Sequence, residues 1–309
     1  MDCESYNVGN VAKNAMQYET LGEARKRELL QYLAEDLIEE SELHGRALPP
    51  VAAEVVRDGL TSAAAEKLWL AFRSLANVRP SWPAPAEFLA AQDELLQGLI
   101  AEAGIATLAD TTASPVDPRL RLWRGDITTL AVDAIVNAAN SGMTGCWAPL
   151  HYCIDNAIHT FAGVQLRAAC AKAMAAQGHP EPTAQAKVTD GYNLPARRVI
   201  HTVGPIADGR PTDTHRRQLA ECYRACLDAA AAAGLSSIAF CCISTGVFGF
   251  PQKEAASIAV ASVRRWLNEH PDIPMTVVFN VFSETDESLY RPLLGLSLLS
   301  AAQMRPTRL

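Results

Sequence analysis

A chain of 309 residues, 49% hydrophobic and 20% charged, has the length of about two globular domains at roughly 150 residues each. Its net charge of -7 is uneven: residues 1–110 hold 9 Lys and Arg against 18 Asp and Glu, and residues 111–309 hold 18 against 16. Such an acidic first third lacks the basic clusters of a nucleic-acid-binding arm, and no apolar run reaches the ~18 residues of a membrane span. The N-terminus does not follow the basic-then-apolar pattern of a signal peptide. The expectation is a cytoplasmic protein whose eight cysteines stay reduced, so that close Cys/His spacing points to metal before disulfide.

In chain order, residues 1–20 carry no clear period and read as a loose lead-in. Over 19–43, Leu29, Leu30, Leu33 and Leu37 recur at three- and four-residue steps, which is helical amphipathicity, with Leu21 able to join the same face. A short helix fits 51–60. Thr61 reads as the N-cap of a helix over 62–75, with Leu68, Leu70, Phe72 and Leu75 as its apolar face, and a further helix fits 85–103. The aromatic residues Trp69, Phe72, Trp82 and Phe88 read as core or domain-contact residues. The small, Pro-punctuated stretch 104–118 reads as a linker.

Beyond it, short β-branched runs alternate with helical stretches. Strands are predicted at 119–124, 133–137, 185–190, 197–203, 236–242 and 275–281, and helices at 154–176, 214–233, 252–269 and 285–294. That alternation implies an α/β sandwich with a largely parallel sheet, whose ligands bind beyond the carboxyl ends of the strands. The loops after Arg124, Val136 and Cys242 leave such ends and are expected to converge.

Three motifs sit there. In RGDIT, Asp126 is either a turn cap or a carboxylate that accepts hydrogen bonds from a base or sugar. In VNAAN, Asn137 and Asn140 are either turn formers or hydrogen-bonding groups for a ribose. The loop ISTGVFGFP, residues 243–251, follows a buried strand and precedes a helix. It reads as a tight turn or as an anion nest of backbone amides. It is neither a Walker P-loop nor a dinucleotide fingerprint. Between the second and third motifs, Cys146, His151 and Cys153 form a C-x4-H-x-C set. Thiolate and imidazole suit zinc, and three protein ligands leave a fourth position open. The alternative is a pair of small apolar cysteines beside a polar histidine. Asp155 fits a helix N-terminus, and His159 fits packing or a supporting role better than a fourth ligand. Cys170, Cys222, Cys226, Cys241 and Cys242 look inert, and His201 and His215 read as structural.

Together RGDIT, VNAAN and ISTGVFGFP, in this order and on these strand ends, resemble the macrodomain family of ADP-ribose-binding modules over about residues 117–295. The insert GCWAPLHYCIDNAIH resembles that of the zinc-containing macrodomain hydrolases, which also carry an N-terminal helical extension. The resemblance implies a three-layer α/β/α sandwich with a mixed six-stranded sheet over 113–309, preceded by an all-α domain plus linker over 1–112. Asp126, with the Ile127 amide, would hold adenine, and Phe282 would stack on it or, alternatively, pack in the core. The amides of Ser244, Thr245, Gly246, Val247 and Phe248 would wrap the diphosphate. Asn140 would orient the distal ribose with Asn137 in support, and Cys146, His151 and Cys153 would hold Zn2+ beside it. The function implied is zinc-dependent removal of mono-ADP-ribose from Asp and Glu side chains of proteins. A reader that binds ADP-ribose without cutting it, an O-acetyl-ADP-ribose deacetylase, and a structural zinc completed by His159 stand as alternatives. The N-terminal helices are expected to brace the macrodomain.

Overall fold

The computed structural model of the chain describes residues 18–297, so most of the expected lead-in over 1–20 lies outside the described residues. Four helices come first: α1 (Glu23–Leu43), α2 (Pro50–Asp58), α3 (Ala65–Val78) and α4 (Ala86–Ala103). The leucine stripe of α1 is buried as its spacing predicts, joined by Ala34 and Ile38. Leu21 crosses α4 at Gly98, where a Cβ would come within 2.5 Å of its side chain. Trp69 lies 5.9 Å from both Phe72 and Phe161, so it links this helical core to the second one.

Thr61 is not the cap of α3, which starts three residues later than expected after Ala64. Ser62 instead donates from Oγ to the carbonyls of Asp58 and Gly59, closing the end of α2. A hydroxyl can satisfy a trailing carbonyl as well as a leading amide, and here the trailing one is nearer.

The remaining elements are β1 (Ala106–Thr107), β2 (Thr112–Ala113), β3 (Leu120–Arg124), β4 (Leu130–Ala131), β5 (Ala134–Ala139), α5 (Ile154–Ala162), α6 (Val164–Gln177), β6 (Ala186–Asp190), β7 (Arg198–Val203), α7 (Asp213–Ala232), β8 (Ser237–Phe240), α8 (Gln252–Glu269), β9 (Thr276–Val281) and α9 (Glu284–Leu293). The main sheet runs β2-β3-β9-β8-β5-β7-β6, and β1 pairs with β4 in a small second one. Five strands from β3 to β7 are mutually parallel, while β2 and β6 are antiparallel edges, so the sheet is mixed. The six expected strands are all present. The seventh, β2, comes from the stretch read as linker, where two residues are too few to show a period. The central strands β5 and β8 are almost wholly buried, which fits their β-branched and apolar runs.

The helix expected over 154–176 is two helices, broken at Gly163 with φ 95. A side chain there would strain the backbone and meet Gln92 and Gln165 at 2.6 Å, so the position requires glycine. The break lets α6 turn away and frees the Val164 amide to donate to Gln92 of α4. No helix among the described residues is long and apolar enough to cross a membrane.

Candidate active site

Because β3, β9, β8 and β5 are adjacent and parallel, their carboxyl ends lie along one edge of the sheet. The three motif segments and Phe282 leave from these four ends, as the topology predicted. Two contacts tie them together: Asn280 of β9 donates to the Gly125 carbonyl at 2.9 Å, and Tyr152 meets Phe282 edge to face at 5.9 Å.

Cys146, His151 and Cys153 come together as one group, their ligand atoms all within 4.8 Å of one another. Cys146 Sγ lies 3.4 Å from His151 Nδ1. Cys153 is also the N-cap of α5, its sulfur accepting the Asn156 amide. No fourth Cys, His, Asp or Glu among the described residues joins the set at that spacing. His159, weighed above as a fourth ligand, belongs to a different, fully buried group with Cys170 and His201. Burial and the neighbouring Cys146 push the Cys153 thiol up to about 12. A divalent cation placed among the three atoms would reverse that preference, since thiolates are its ligands. The donor set and its soft chemistry fit zinc, and three ligands among the described residues are the number that leaves one position open.

The loop between β5 and α5 is held by backbone and side chain alike. Met143, Gly145 and Leu150 have φ of 61, 83 and 58. At Gly145 a Cβ would come within 2.8 Å of the His159 ring, so no other residue fits. Arg167 of α6 donates to the Thr144 carbonyl at 2.7 Å and lies over the Trp147 ring at 4.4 Å.

Beneath the loop lies a buried polar cluster. Asn137, with no exposed surface, donates from Nδ2 to Asp155 Oδ1 at 2.8 Å and to His201 Nδ1 at 3.1 Å. It therefore lies beneath the loop, in the supporting place expected of it, and its Oδ1 is buried with no hydrogen-bond partner among the described residues. Asn140 donates to Asp155 Oδ2 at 3.2 Å and to the Gly145 carbonyl at 3.0 Å, and its Oδ1 accepts the Gly142 amide. Both of its donors are used, so what it offers a ribose is a lone pair on Oδ1. Asp155 was read only as a helix-terminus acid. Burial pushes its carboxyl up to about 6 while the two asparagines oppose the shift. An acid gripped by two asparagines was the missed residue; the i, i+15 and i, i+18 spacings carry no local signal.

His201 is satisfied, as expected of a structural histidine, between Asn137 and Thr189 Oγ1 at 2.9 Å. Burial lowers its pKa from 6.5 to about 4. Between those values the unfolded chain binds more protons than the fold, so stability present above pH 6.5 is lost as the pH falls towards 4. The difference is on the order of 3 kcal/mol. Asp155 titrates in the opposite sense, so the comparison is between variant and wild type. His201→Gln should lose less stability than wild type between pH 7 and pH 4.5 in urea unfolding; an equal loss would exclude His201 as a source.

The loop over 243–251 is built to present amides. Ser244 adopts φ 65 with its buried Oγ unpaired, and the Thr245 hydroxyl turns back to the Cys242 carbonyl. The amides of Gly246, Val247 and Phe248 make no hydrogen bond among the described residues, and Val247 is strongly exposed. The Phe248 carbonyl is held by the Ala207 and Asp208 amides. At the other end, Asp126 Oδ1 takes both the amide and hydroxyl of Thr128, so it caps the turn over Ile127–Thr129. Phe282 is 42% exposed at the end of β9. It does not pack in the core.

The sequence family described as Macro domain matches residues 136–259. A protein-ADP-ribose hydrolase of Treponema medium is 58% identical over 227 residues, covering 72% of this chain and 86% of its own. The chain belongs to the macrodomain family. A protein-ADP-ribose hydrolase of Staphylococcus aureus strain MRSA252 is 50% identical over 227 residues, covering 73% of this chain and 84% of its own. The macrodomain of Trypanosoma brucei in complex with ADP-ribose is similar over 90% of this chain and 98% of its own, at 30% identity and a TM-score of 0.54. At that coverage the macrodomain likeness extends into the N-terminal helices.

Proposed function

We propose that this chain hydrolyses ADP-ribose from Asp and Glu side chains of modified proteins and uses zinc to do so. The relatives named protein-ADP-ribose hydrolase support the hydrolase reading. The observation that carries the finer one is the group of two thiols and an imidazole on the loop after β5, next to Asn140 and Asp155. Cys146, His151 and Cys153 would hold the metal at the distal-ribose end of the crevice. Zinc bound there supplies Lewis-acid polarisation and charge stabilisation where the leaving group departs.

The chain's own groups do the rest. The free amides of Gly246, Val247 and Phe248 receive the diphosphate, Asp126 and the Ile127 amide receive the adenine edge, and Phe282 stacks on its face. Asn140 Oδ1 takes a hydroxyl of the distal ribose. Water then forms the new bond to the anomeric carbon as the ester oxygen leaves with the bonding electrons, and Asp155 accepts the water's proton. Asp155 is held as an acceptor, since each of its oxygens takes an asparagine amide hydrogen. A carboxylate leaves as a stable anion, whereas a serine alkoxide would need a proton given to it. This favours the Asp/Glu ester.

The test is release of ADP-ribose from a Glu/Asp-modified protein, a Ser-modified protein and O-acetyl-ADP-ribose, side by side. Turnover of the first at least tenfold above the second is expected. Equal or faster release from serine contradicts the ester reading, and binding without release from any of the three contradicts hydrolysis itself.

A further inference from the structure

The N-terminal helices do more than brace the fold. Bracing is carried by apolar packing such as Trp69 against Phe161 and by polar contacts such as the Val164 amide on Gln92 and Arg167 on the Ala76 and Arg79 carbonyls. Arg73 and Asn77, four residues apart on one face of α3, reach instead to the loop that carries the three ligands. We propose that the helical domain is part of the metal site, with Arg73 and Asn77 as positioning residues that hold the ligand loop in its ligating shape. This rests on the reading of Cys146, His151 and Cys153 as metal ligands.

Asn77 grips the loop immediately before His151. Its Oδ1 accepts the Leu150 amide at 2.9 Å, and its Nδ2 donates to Thr160 Oγ1 at 3.0 Å. Leu150 has φ 58, a left-handed conformation that a leucine rarely keeps unless its surroundings impose it. Asn77, 2% exposed, imposes it from a helix of the other domain. The direction in which the chain enters His151 is thus set from outside the macrodomain.

Arg73 acts at the other end of the loop. Its Nη2 donates to Asn156 Oδ1 at 3.0 Å. Asn156 in turn bonds the Ala148 carbonyl through Nδ2 and Cys153 Sγ through its amide, so it closes the loop on itself. Arg73 Nε is buried without a partner, and no carboxylate among the described residues forms an ion pair with it. A desolvated cation is unfavourable at the N-terminal end of α5 unless negative charge lies opposite. Asn156 links Arg73 to the Cys153 sulfur, which as a metal-bound thiolate would supply that charge.

The experiment uses the full chain loaded with zinc and follows transfer of zinc to a chromophoric chelator. Asn77→Ala and Arg73→Gln are expected to release zinc at least threefold faster than wild type, with Arg73→Lys, which keeps the cation, closer to wild type than Arg73→Gln. Trp69→Leu loosens the domain contact without touching the loop and is expected to leave release within threefold of wild type. Release within threefold of wild type for both Asn77→Ala and Arg73→Gln overturns the proposal. So does Trp69→Leu accelerating release as much as they do, because bracing alone would then account for the effect. If Asn77→Ala does not fold, the Gln and Lys variants of the part-exposed Arg73 decide. The zinc content of wild type stands apart: a wild type that takes up none overturns the ligand assignment, whereas a loaded wild type with unchanged variants overturns this proposal alone.

Discussion

Replacing Asp155 by Ala should slow release of ADP-ribose by about 100- to 10,000-fold, the range for loss of a positioned proton acceptor. The affinity for free ADP-ribose should stay within about tenfold of wild type, because the residues proposed to hold adenine and diphosphate follow the ends of β3, β8 and β9. Asp155 is almost fully buried, and its two oxygens are claimed by Asn137 and Asn140. Removing it leaves two amide donors short of an acceptor, which costs roughly 1–3 kcal/mol each. Unfolding must therefore be measured alongside turnover. A folded variant that turns over within threefold of wild type would take Asp155 out of the chemistry. Asp155→Asn is the poorer probe, since its amide sets a donor against donors already aimed there.

Loss of a proposed metal ligand should cost as much. Cys146→Ala and Cys153→Ser should each abolish stoichiometric zinc and lower turnover at least about 100-fold, with ADP-ribose binding retained. Cys153→Ser is the sharper of the two. The Cys153 sulfur caps α5 by accepting the Asn156 amide, and a serine hydroxyl is a better cap than a thiol. The helix end is preserved while the soft ligand is lost. A Cys153→Ser variant that keeps full turnover without zinc would show that the thiols serve packing alone.

What could be read in the sequence was what is local. The strands that carry the motifs are buried apolar runs that end in polar loops, so RGDIT, VNAAN and ISTGVFGFP announce themselves within five to nine residues. Parallel topology then brings their ends together without further information. The proposed ligands Cys146, His151 and Cys153 are equally local, and their side chains do meet. What stayed hidden is non-local. Asn137 and Asn140 look alike in VNAAN, yet one lies inside β5 and is fully buried while the other follows the end of β5 and belongs to the loop. Asp155 gains its place only when β5 and α5 pack. Gly163 inside a helical pattern looks tolerable until its φ of 95 and the side chains of Gln92 and Gln165 are seen. Arg73 and Asn77 lie on a helix whose sequence shows only an apolar stripe; their partners are 73 or more residues away. The extra strand β2 is too short for any period to reveal.

The most direct measurement is turnover of a Glu/Asp-modified protein by enzyme stripped of metal with a chelator, then after zinc is added back, with zinc counted at each stage. One zinc per chain in the active protein, loss of release on stripping and recovery on adding zinc are the predicted results. Undiminished release by protein shown to contain no metal would contradict the account.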